Sequence, residues 1–443
     1  MQVTSDPAQR FRASLALLRT RRFGTFWIAS LLSNIGYWAQ EVAQPWLLLN
    51  LGASPFLVGF DAFVGDAPAW LLTLVGGVLA DRADRRKVIA GFQLIQMLCP
   101  IALVVLLVTG TVRPWFVIAT SLIVGVTDAL SMPSFQTIVP TIVEPDQIGT
   151  GLALSSTQFN LSRILGPATA GALMAGVGAI GCFVVNAASY IPFILVALWI
   201  LPRRSSQPAF SPKRDRARPF EGMREIVRAP HVRGALAVVS VLTLLCTPLI
   251  TFCPVLVRDA FHGDAGRFSL AIAAFGVGGL LGGLALLGID TTRDQRRLCS
   301  RLATGVGVVV ILAALAPWYW ALPGLALLAG LGMTMTNTLI NTLLQSTAGP
   351  GLRGQTISTF MLAMRGGMAL GSLLGGISVH VLGVRTALAI NGSIAVAVQL
   401  ALGQVWPRSP LPAPAPQGGT PHEPRSVTRA RETAGDLSSP MRP

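Results

Sequence analysis

Three observations predict an all-α integral membrane protein of twelve transmembrane helices in two six-helix halves. Of the 443 residues 52% are hydrophobic and only 12% charged, apolar runs long enough to cross a bilayer recur along the chain, and the Lys and Arg residues between those runs are one-sided. A soluble domain of ordinary composition carries about 25% charged residues to keep its surface wet. This chain cannot cover a water-facing surface of that size. A net charge of +15 in a soluble protein points first to nucleic acid. With so few charges in total the basic excess needs another source, and no nucleic-acid partner is expected.

A helix needs about 20 mainly apolar residues to cross a hydrocarbon core roughly 30 Å thick. Runs of that kind are expected at about 25–50, 56–80, 87–110, 115–139, 152–177, 180–201, 234–257, 266–289, 299–317, 320–344, 356–381 and 385–406. Only closed backbone hydrogen bonding survives in lipid, so the runs are helices. Ten-residue segments of strand alternation do not occur, which excludes an outer-membrane barrel.

Taken in order, the arm 1–22 carries Arg10, Arg12, Arg19, Arg21 and Arg22 ahead of a run about twice the length of a signal-peptide core. No cleavage site follows, so the first span is expected to stay. In that span Asn34, Trp38, Glu41 and Gln44 fall on one face, at i, i+4, i+7 and i+10. Asp61 and Asp66 lie in the second span, Asp128 in the fourth, Arg163 in the fifth and Arg365 in the eleventh. By the span limits Glu41, Asp66 and Asp128 are near mid-depth, and Asp61 is placed toward the outer interface. Ser240, Thr243, Thr247 and Thr251 form a polar stripe in the seventh span, and Thr334, Asn337, Asn341 and Gln345 another in the tenth. Polar stripes of this kind face protein or a water-filled cavity. Trp115, Trp199, Trp318, Trp320 and Trp406 are expected in the interfacial belts.

Twelve spans put both termini on one side, and the connections sort into two sets. Of the 34 Lys and Arg residues, all but six belong to the set that contains the termini. The other set holds Arg113, Arg258, Arg267 and Arg385, while Arg163 and Arg365 lie inside spans. The positive-inside rule then makes the termini cytoplasmic. The expected organisation is a basic arm over 1–22, a first six-helix half over 23–201, a basic linker over 202–233, a second half over 234–406 and a disordered tail over 407–443. The end of the linker, 220–232, reads as a short amphipathic helix on the inner membrane face, and the Pro-, Ser- and Arg-rich tail lacks the apolar residues to fold.

An internal repeat supports the two halves. At a shift of 205 residues, Gly166, Gly171, Gly178 and Asn186 fall on Gly371, Gly376, Gly383 and Asn391. A second echo aligns Gly77, Arg82, Arg85 and Arg86 with Gly288, Arg293, Arg296 and Arg297.

Between the second and third spans the chain reads Gly77-Val-Leu-Ala-Asp81-Arg82-Ala-Asp84-Arg85-Arg86-Lys87. This resembles the loop 2–3 signature of the major facilitator superfamily. Asp84, at the usual second glycine, is similar to the form found in the enterobactin-exporter-like and macrolide-efflux-like branch. Gly125-Val-Thr-Asp128 through Pro133, Asn160-Leu-Ser-Arg163-Ile-Leu-Gly166-Pro167, Phe183-Val-Val-Asn186, Leu352-Arg353-Gly354 and Gly371-Ser372 through Gly376 extend the resemblance to about residues 23–406. Phe135 departs from the Arg often found there, and the fourth span lacks the mid-membrane Arg of many drug/proton antiporters.

The resemblance implies the major facilitator fold, in which helices one, four, seven and ten line a central cavity. Three of those four carry the polar stripes. The candidate cavity residues are Asn34, Trp38, Gln44, Thr243, Thr247, Asn337 and Asn341. Gly77, Asp81, Arg82, Arg85 and Arg86 are candidates for a gating latch, since a Gly permits close helix approach and an Arg cluster can bind carboxylates or lipid phosphates; the basic residues can equally be topology signals alone. Burial favours the neutral form of a carboxyl group, the property a proton carrier needs, so Glu41, Asp66 and Asp128 are candidates for proton coupling, Glu41 first. The alternatives are substrate contact, or neutralisation of Arg163 and Arg365 through the pairs Asp128–Arg163 and Asp66–Arg365.

No Gly-rich phosphate loop with Lys-Ser/Thr occurs, so no nucleotide-driven or enzymatic activity is expected. Cys99, Cys182, Cys246, Cys253 and Cys299 have no metal or disulfide spacing, and His231, His262, His380 and His422 are scattered. No cofactor or metal is expected. The expected function is export of a small amphipathic molecule such as a siderophore, macrolide or drug-like compound, proton-coupled, by a monomer in the bilayer of the bacterial cytoplasmic membrane. An uptake carrier of the same fold and a non-transporting receptor or scaffold are the alternatives.

Overall fold

The computed structural model describes residues 14–69, 72, 84–200, 229–286, 295–347 and 353–406. In the first half these include α1 (Arg21–Asn50), α2 (Pro55–Asp66), α3 (Arg85–Val108), α4 (Pro114–Gln136), α5 (Ile148–Gly176) and α6 (Ala179–Ile200). The second half supplies α7 (from Pro230–Cys246), α8 (Ala265–Ala285), α9 (Gln295–Leu315), α10 (Ala321–Thr347), α11 (Arg353–Leu382) and α12 (Val384–Val405). Each of the twelve spans expected from the sequence has a helix among the described residues, although most of the second span's expected second half, to residue 80, lies outside them. Pro55, Pro114 and Pro230 each stand at a helix start, where the missing N–H is unneeded and φ is already helical. Segments Pro248–Thr251 and Cys253–Val255 and a π turn, Leu256–Ala260, continue α7. Its breaks fall at Pro248 and Pro254, each of which removes a helical hydrogen bond.

Burial is inverted relative to a soluble fold. On α3, Leu94, Leu98, Ile101, Val105 and Val108 form a single exposed stripe, while Gln93 and Gln96 are buried. Only a hydrocarbon solvent makes that arrangement favourable. Among the described residues nine helices are long and apolar enough to span a membrane. The 30-residue α1 and 29-residue α5 are long enough, but both carry runs of polar residues. Trp115, Trp199, Trp318 and Trp320 are all more than half exposed. Trp406 is not a belt residue: it is buried, against Gly234 at the start of α7. The five cysteines are free and buried.

The two halves share one packing scheme. Contacts α1–α5, α1–α6, α2–α4, α3–α4 and α3–α6 recur as α7–α11, α7–α12, α8–α10, α9–α10 and α9–α12. The glycines of the sequence repeat explain themselves in these terms. Gly178 and Gly383 turn α5 into α6 and α11 into α12 at φ +78° and +79°, a positive-φ conformation that costs other residues about 1–3 kcal/mol. Gly166 lies against α1 at Trp38, and Gly371 against α7 at Leu244.

The halves meet along α2–α11 and α5–α8. Small residues allow it: Gly59 packs on Ser372 and Gly376, and Gly276 on the carbonyl of Arg163. Farther from the terminal face, Trp46 stacks on Phe268 with centroids 6.0 Å apart, and Arg258 Nη1 donates to Leu49 O at 2.7 Å. Two apolar clusters near the terminal face, one of Ala29, Ile89, Ile138, Phe193 and Ala197 and one of Leu17, Phe23 and Val139, contain first-half residues only. Among the described residues, these contacts between halves run from mid-depth to the far face.

The expected arm (to residue 13), linker (to residue 228) and tail lie outside the described residues. So does the predicted amphipathic helix 220–232 apart from its end, where Pro230 starts α7 itself.

Candidate functional site

The buried polar groups of the first half converge on α1. Asn186 Nδ2 of α6 donates to Gln40 Oε1 at 2.7 Å, and Gln40 Nε2 donates to Gln44 Oε1 at 3.2 Å. Gln44 Nε2 then donates to Asp61 Oδ2 of α2 at 2.8 Å and to Ser121 Oγ of α4 at 2.6 Å. Ser121 Oγ donates to Asp61 Oδ1 at 2.5 Å. Four helices are tied by one chain, and Asp61 is held by neutral donors. Asp61 does not reach an interface as expected from its span position. It is 7% exposed, because α2 turns that face onto α1 and α4.

A second chain joins α3 to α4. Gln93 Nε2 donates to Gln96 Oε1 at 2.9 Å, and Gln96 Nε2 donates to Asp128 Oδ1 at 2.6 Å and Thr127 Oγ1 at 3.0 Å. Asp128 forms no ion pair with Arg163, contrary to that alternative. Arg163 instead lies over the rings of Trp38 and Phe275, each 5.5 Å from the guanidinium carbon. Asp66 does meet Arg365: Nη1 of the latter is 3.3 Å from Oδ1 of the former, across the contact between halves.

Glu41 is exposed, at mid-length of α1. Its electrostatic neighbours are nevertheless Asp66, Asp61, Asp128 and the Tyr37 hydroxyl. Its side chain is therefore directed toward α2 and α4, within the bundle. Glu41, Asp66 and Asp128 are brought together, as three acids from three helices with Arg365 beside them.

The cavity candidates separate. Trp38 and Thr247 are half-buried, as are Asn34, Asn337 and Asn341. Asn34 donates to Ser30 O at 3.0 Å, Asn341 Oδ1 accepts from Gln345 at 2.9 Å, and Asn337 Oδ1 has no partner among the described residues. Gln44 and Thr243 are buried and have no open face. Gln44 belongs to the Asp61 chain, and Thr243 back-bonds to Val239 O at 2.8 Å while packing on Gly367 of α11.

Of the gating candidates, Gly77, Asp81 and Arg82 lie outside the described residues, and Arg85 is the first residue of α3. Asp84 caps α3, accepting from Arg86 N at 3.1 Å, which gives the aspartate at this usually glycine position a physical role. Arg86 Nη1 donates to Leu198 O at the end of α6, at 2.9 Å. Arg296 does the same in the second half, donating to Trp406 O at 2.7 Å at the end of α12. Both cations satisfy carbonyls at helix C-termini, where the dipole favours positive charge. Arg86 therefore holds α3 to α6 within one half.

Sequence reasoning missed Asp61 as the hub, together with Gln40, Ser121, Gln93 and Gln96. The available signal was the cost of burying an amide side chain in an apolar span.

A family profile described as Transmembrane secretion effector matches residues 12–416. The chain is 25% identical over 388 residues to a staphyloferrin A transporter of Staphylococcus aureus, covering 85% of this chain and 94% of that one. It is 22% identical to macrolide efflux protein A of Streptococcus pyogenes, covering 86% and 94%, and 25% identical to an enterobactin exporter of Salmonella typhimurium, covering 83% and 89%. In fold it is similar to the nucleoside transporter NupG, with TM-score 0.72, 14% identity and coverage of 88% and 100%. A bacterial homolog of the human lysosomal transporter Spinster, solved inward-facing and unoccupied, gives TM-score 0.66 at 17% identity, covering 92% and 100%. With the family profile spanning nearly all of the helical region and the halves packed along α2–α11 and α5–α8, the chain belongs to the transmembrane secretion effector family of major facilitator transporters.

Proposed function

We propose that the chain exports a small amphipathic organic molecule, of siderophore, macrolide or drug-like type, by alternating access coupled to proton antiport. The observation that carries this reading is Glu41, exposed at mid-depth of α1 among Asp66, Asp61 and Asp128. Beside it the Asp66–Arg365 pair joins the halves. A proton arriving at this group of acids changes the charge next to a contact that must break and re-form in transport. The relatives named as an efflux protein and an exporter support the outward direction.

In this reading the chain is a monomer in the bacterial cytoplasmic membrane, with cytoplasmic termini by the positive-inside rule. Halves 23–201 and 234–406 rock about the site, joined by the linker 202–233. Contacts concentrated toward the far face then correspond to a state open to the cytoplasm, in which an exporter loads. Asn34, Trp38, Thr247, Asn337 and Asn341 face the substrate, and Gly77, Asp81, Arg82 and Arg85 latch the cytoplasmic side.

The test is accumulation of siderophores, macrolides and dyes in cells lacking their own exporters, with and without a collapsed proton gradient. Expression of the chain lowers accumulation of at least one class, collapse of the gradient restores it, and Glu41→Gln abolishes the gradient-dependent part. Unchanged accumulation across all classes refutes export, and equal pumping by Glu41→Gln removes that residue from coupling.

A further inference from the structure

Arg163 is an intramembrane cation whose charge is answered by no carboxylate among the described residues. Asp66 is engaged by Arg365, and Asp128 by Gln96. Arg163 is not among the electrostatic neighbours of Glu41. What surrounds the guanidinium is aromatic: Trp38 from α1 and Phe275 from α8, both at 5.5 Å. Trp38 is itself set edge-on against Tyr37 and Phe159, with centroids 5.6 and 6.1 Å away.

Glycines build this enclosure. Gly166 lets Trp38 lie on α5. At Gly276 a Cβ would come 2.5 Å from the Arg163 carbonyl oxygen, so α8 crosses α5 at this residue. A Cβ at Gly279 would stand 3.1 Å from Thr334 Oγ1 and 3.9 Å from Arg163 Nη1, which puts a hydroxyl of α10 near the same guanidinium.

Ring faces attract the charge but accept none of the five N–H donors, which lie in the guanidinium plane. Inside a membrane-spanning bundle those donors require oxygen acceptors, and an unpaired ionisable group there marks a ligand path. A carboxylate is the group whose two oxygens match the fork. We propose that Arg163, walled by Trp38 and Phe275 with Thr334 alongside, is the subsite for a carboxylate of the transported molecule, whose adjoining aromatic or apolar part rests on the rings. The proposal rests on the transporter reading and adds to it the charge of the cargo. Arg163 belongs to one half and Phe275 to the other, so the occupied subsite bridges them at the α5–α8 crossing.

The purified full chain in detergent micelles is titrated with three tryptophan quenchers of equal shape: 4-nitrobenzoate, neutral 4-nitrobenzamide and cationic 4-nitrobenzylamine. The benzoate binds more tightly than the amide by about tenfold to a hundredfold, the range of a charge-assisted hydrogen bond, and the benzylamine binds no better than the amide. Arg163→Gln abolishes the preference and Arg163→Lys keeps part of it, with size-exclusion profiles reporting on folding. No preference for the benzoate in the wild type, including no binding of it at all, overturns the proposal without reference to any variant. So does a preference that survives Arg163→Gln. Because the readout is equilibrium binding, absence of export in cells with the benzoate preference intact removes the transporter reading alone.

Discussion

Gly59 offers a direct test of the packing that closes the far side. A Cβ at this position would lie 2.9 Å from Gly376 Cα and 2.9 Å from Phe252 Cζ, and closer still to the carbonyl oxygen of Ser372. Carbon pairs rest at about 3.5–4.0 Å, so Gly59→Ala requires α2 and α11 to separate by roughly 0.6–1 Å. Phe252 can swing, but Gly376 Cα and the Ser372 carbonyl are backbone and move only with α11. Overpacking of this kind costs about 1–3 kcal/mol. It is charged only to the state in which α2 and α11 touch here, so the equilibrium shifts by about 5- to 150-fold toward states in which they part. The assay is a distance measurement between nitroxide labels at Thr111→Cys in the α3–α4 connection and Trp318→Cys in the α9–α10 connection, both exposed. The five native cysteines are buried and label slowly. A longer distance population grows in Gly59→Ala. An unchanged distribution, with the variant folded, would refute the idea that this crossing holds the observed state.

Two further outcomes are expected. Asp61→Leu removes the acceptor that Gln44 Nε2 and Ser121 Oγ share, leaving the amide with Ser121 Oγ and the hydroxyl with Val117 O, at about 0.5–1.5 kcal/mol for each hydrogen bond lost. Its melting temperature in detergent falls well below that of Asp61→Asn, which keeps an oxygen in place; equal melting of the two variants and the wild type would mean that the chain contributes nothing. Gly178→Ala and Gly383→Ala each force a Cβ onto a positive-φ turn residue and lose about 1–3 kcal/mol. The losses are similar because the turns are equivalent, and a large loss at one with none at the other would argue against a shared role.

Much of the fold was legible in the chain. Each of the twelve apolar runs has a helix among the described residues, and the glycine echo at Gly178 and Gly383 became two turns of matching φ. Both features are local: mean apolarity over consecutive residues decides what partitions into lipid, and a positive φ is a demand on a single residue. The acids Glu41, Asp66 and Asp128 were recognisable as a group by their depth alone. Trp406 and Asp61 were misplaced for the same reason, since distance along a span gives depth but not direction. Arg86 was ambiguous because a basic residue at a helix start serves topology, lipid and capping equally well until its partner, Leu198 O, is known.

The amino-acid sequence by itself determined an all-α membrane protein of twelve transmembrane helices in two related halves. Each of those properties is a sum over neighbours in the chain. Only the tertiary structure decided which polar groups meet. Successive residues on a helix point about 100° apart, so a small rotation of a helix about its axis exchanges one partner for another. Thus Asp61 went to Gln44 and Ser121, Asp66 to Arg365, and Arg163 to two aromatic rings. The glycines at the crossings set those rotations, by letting some helix faces approach to backbone contact and holding the others apart.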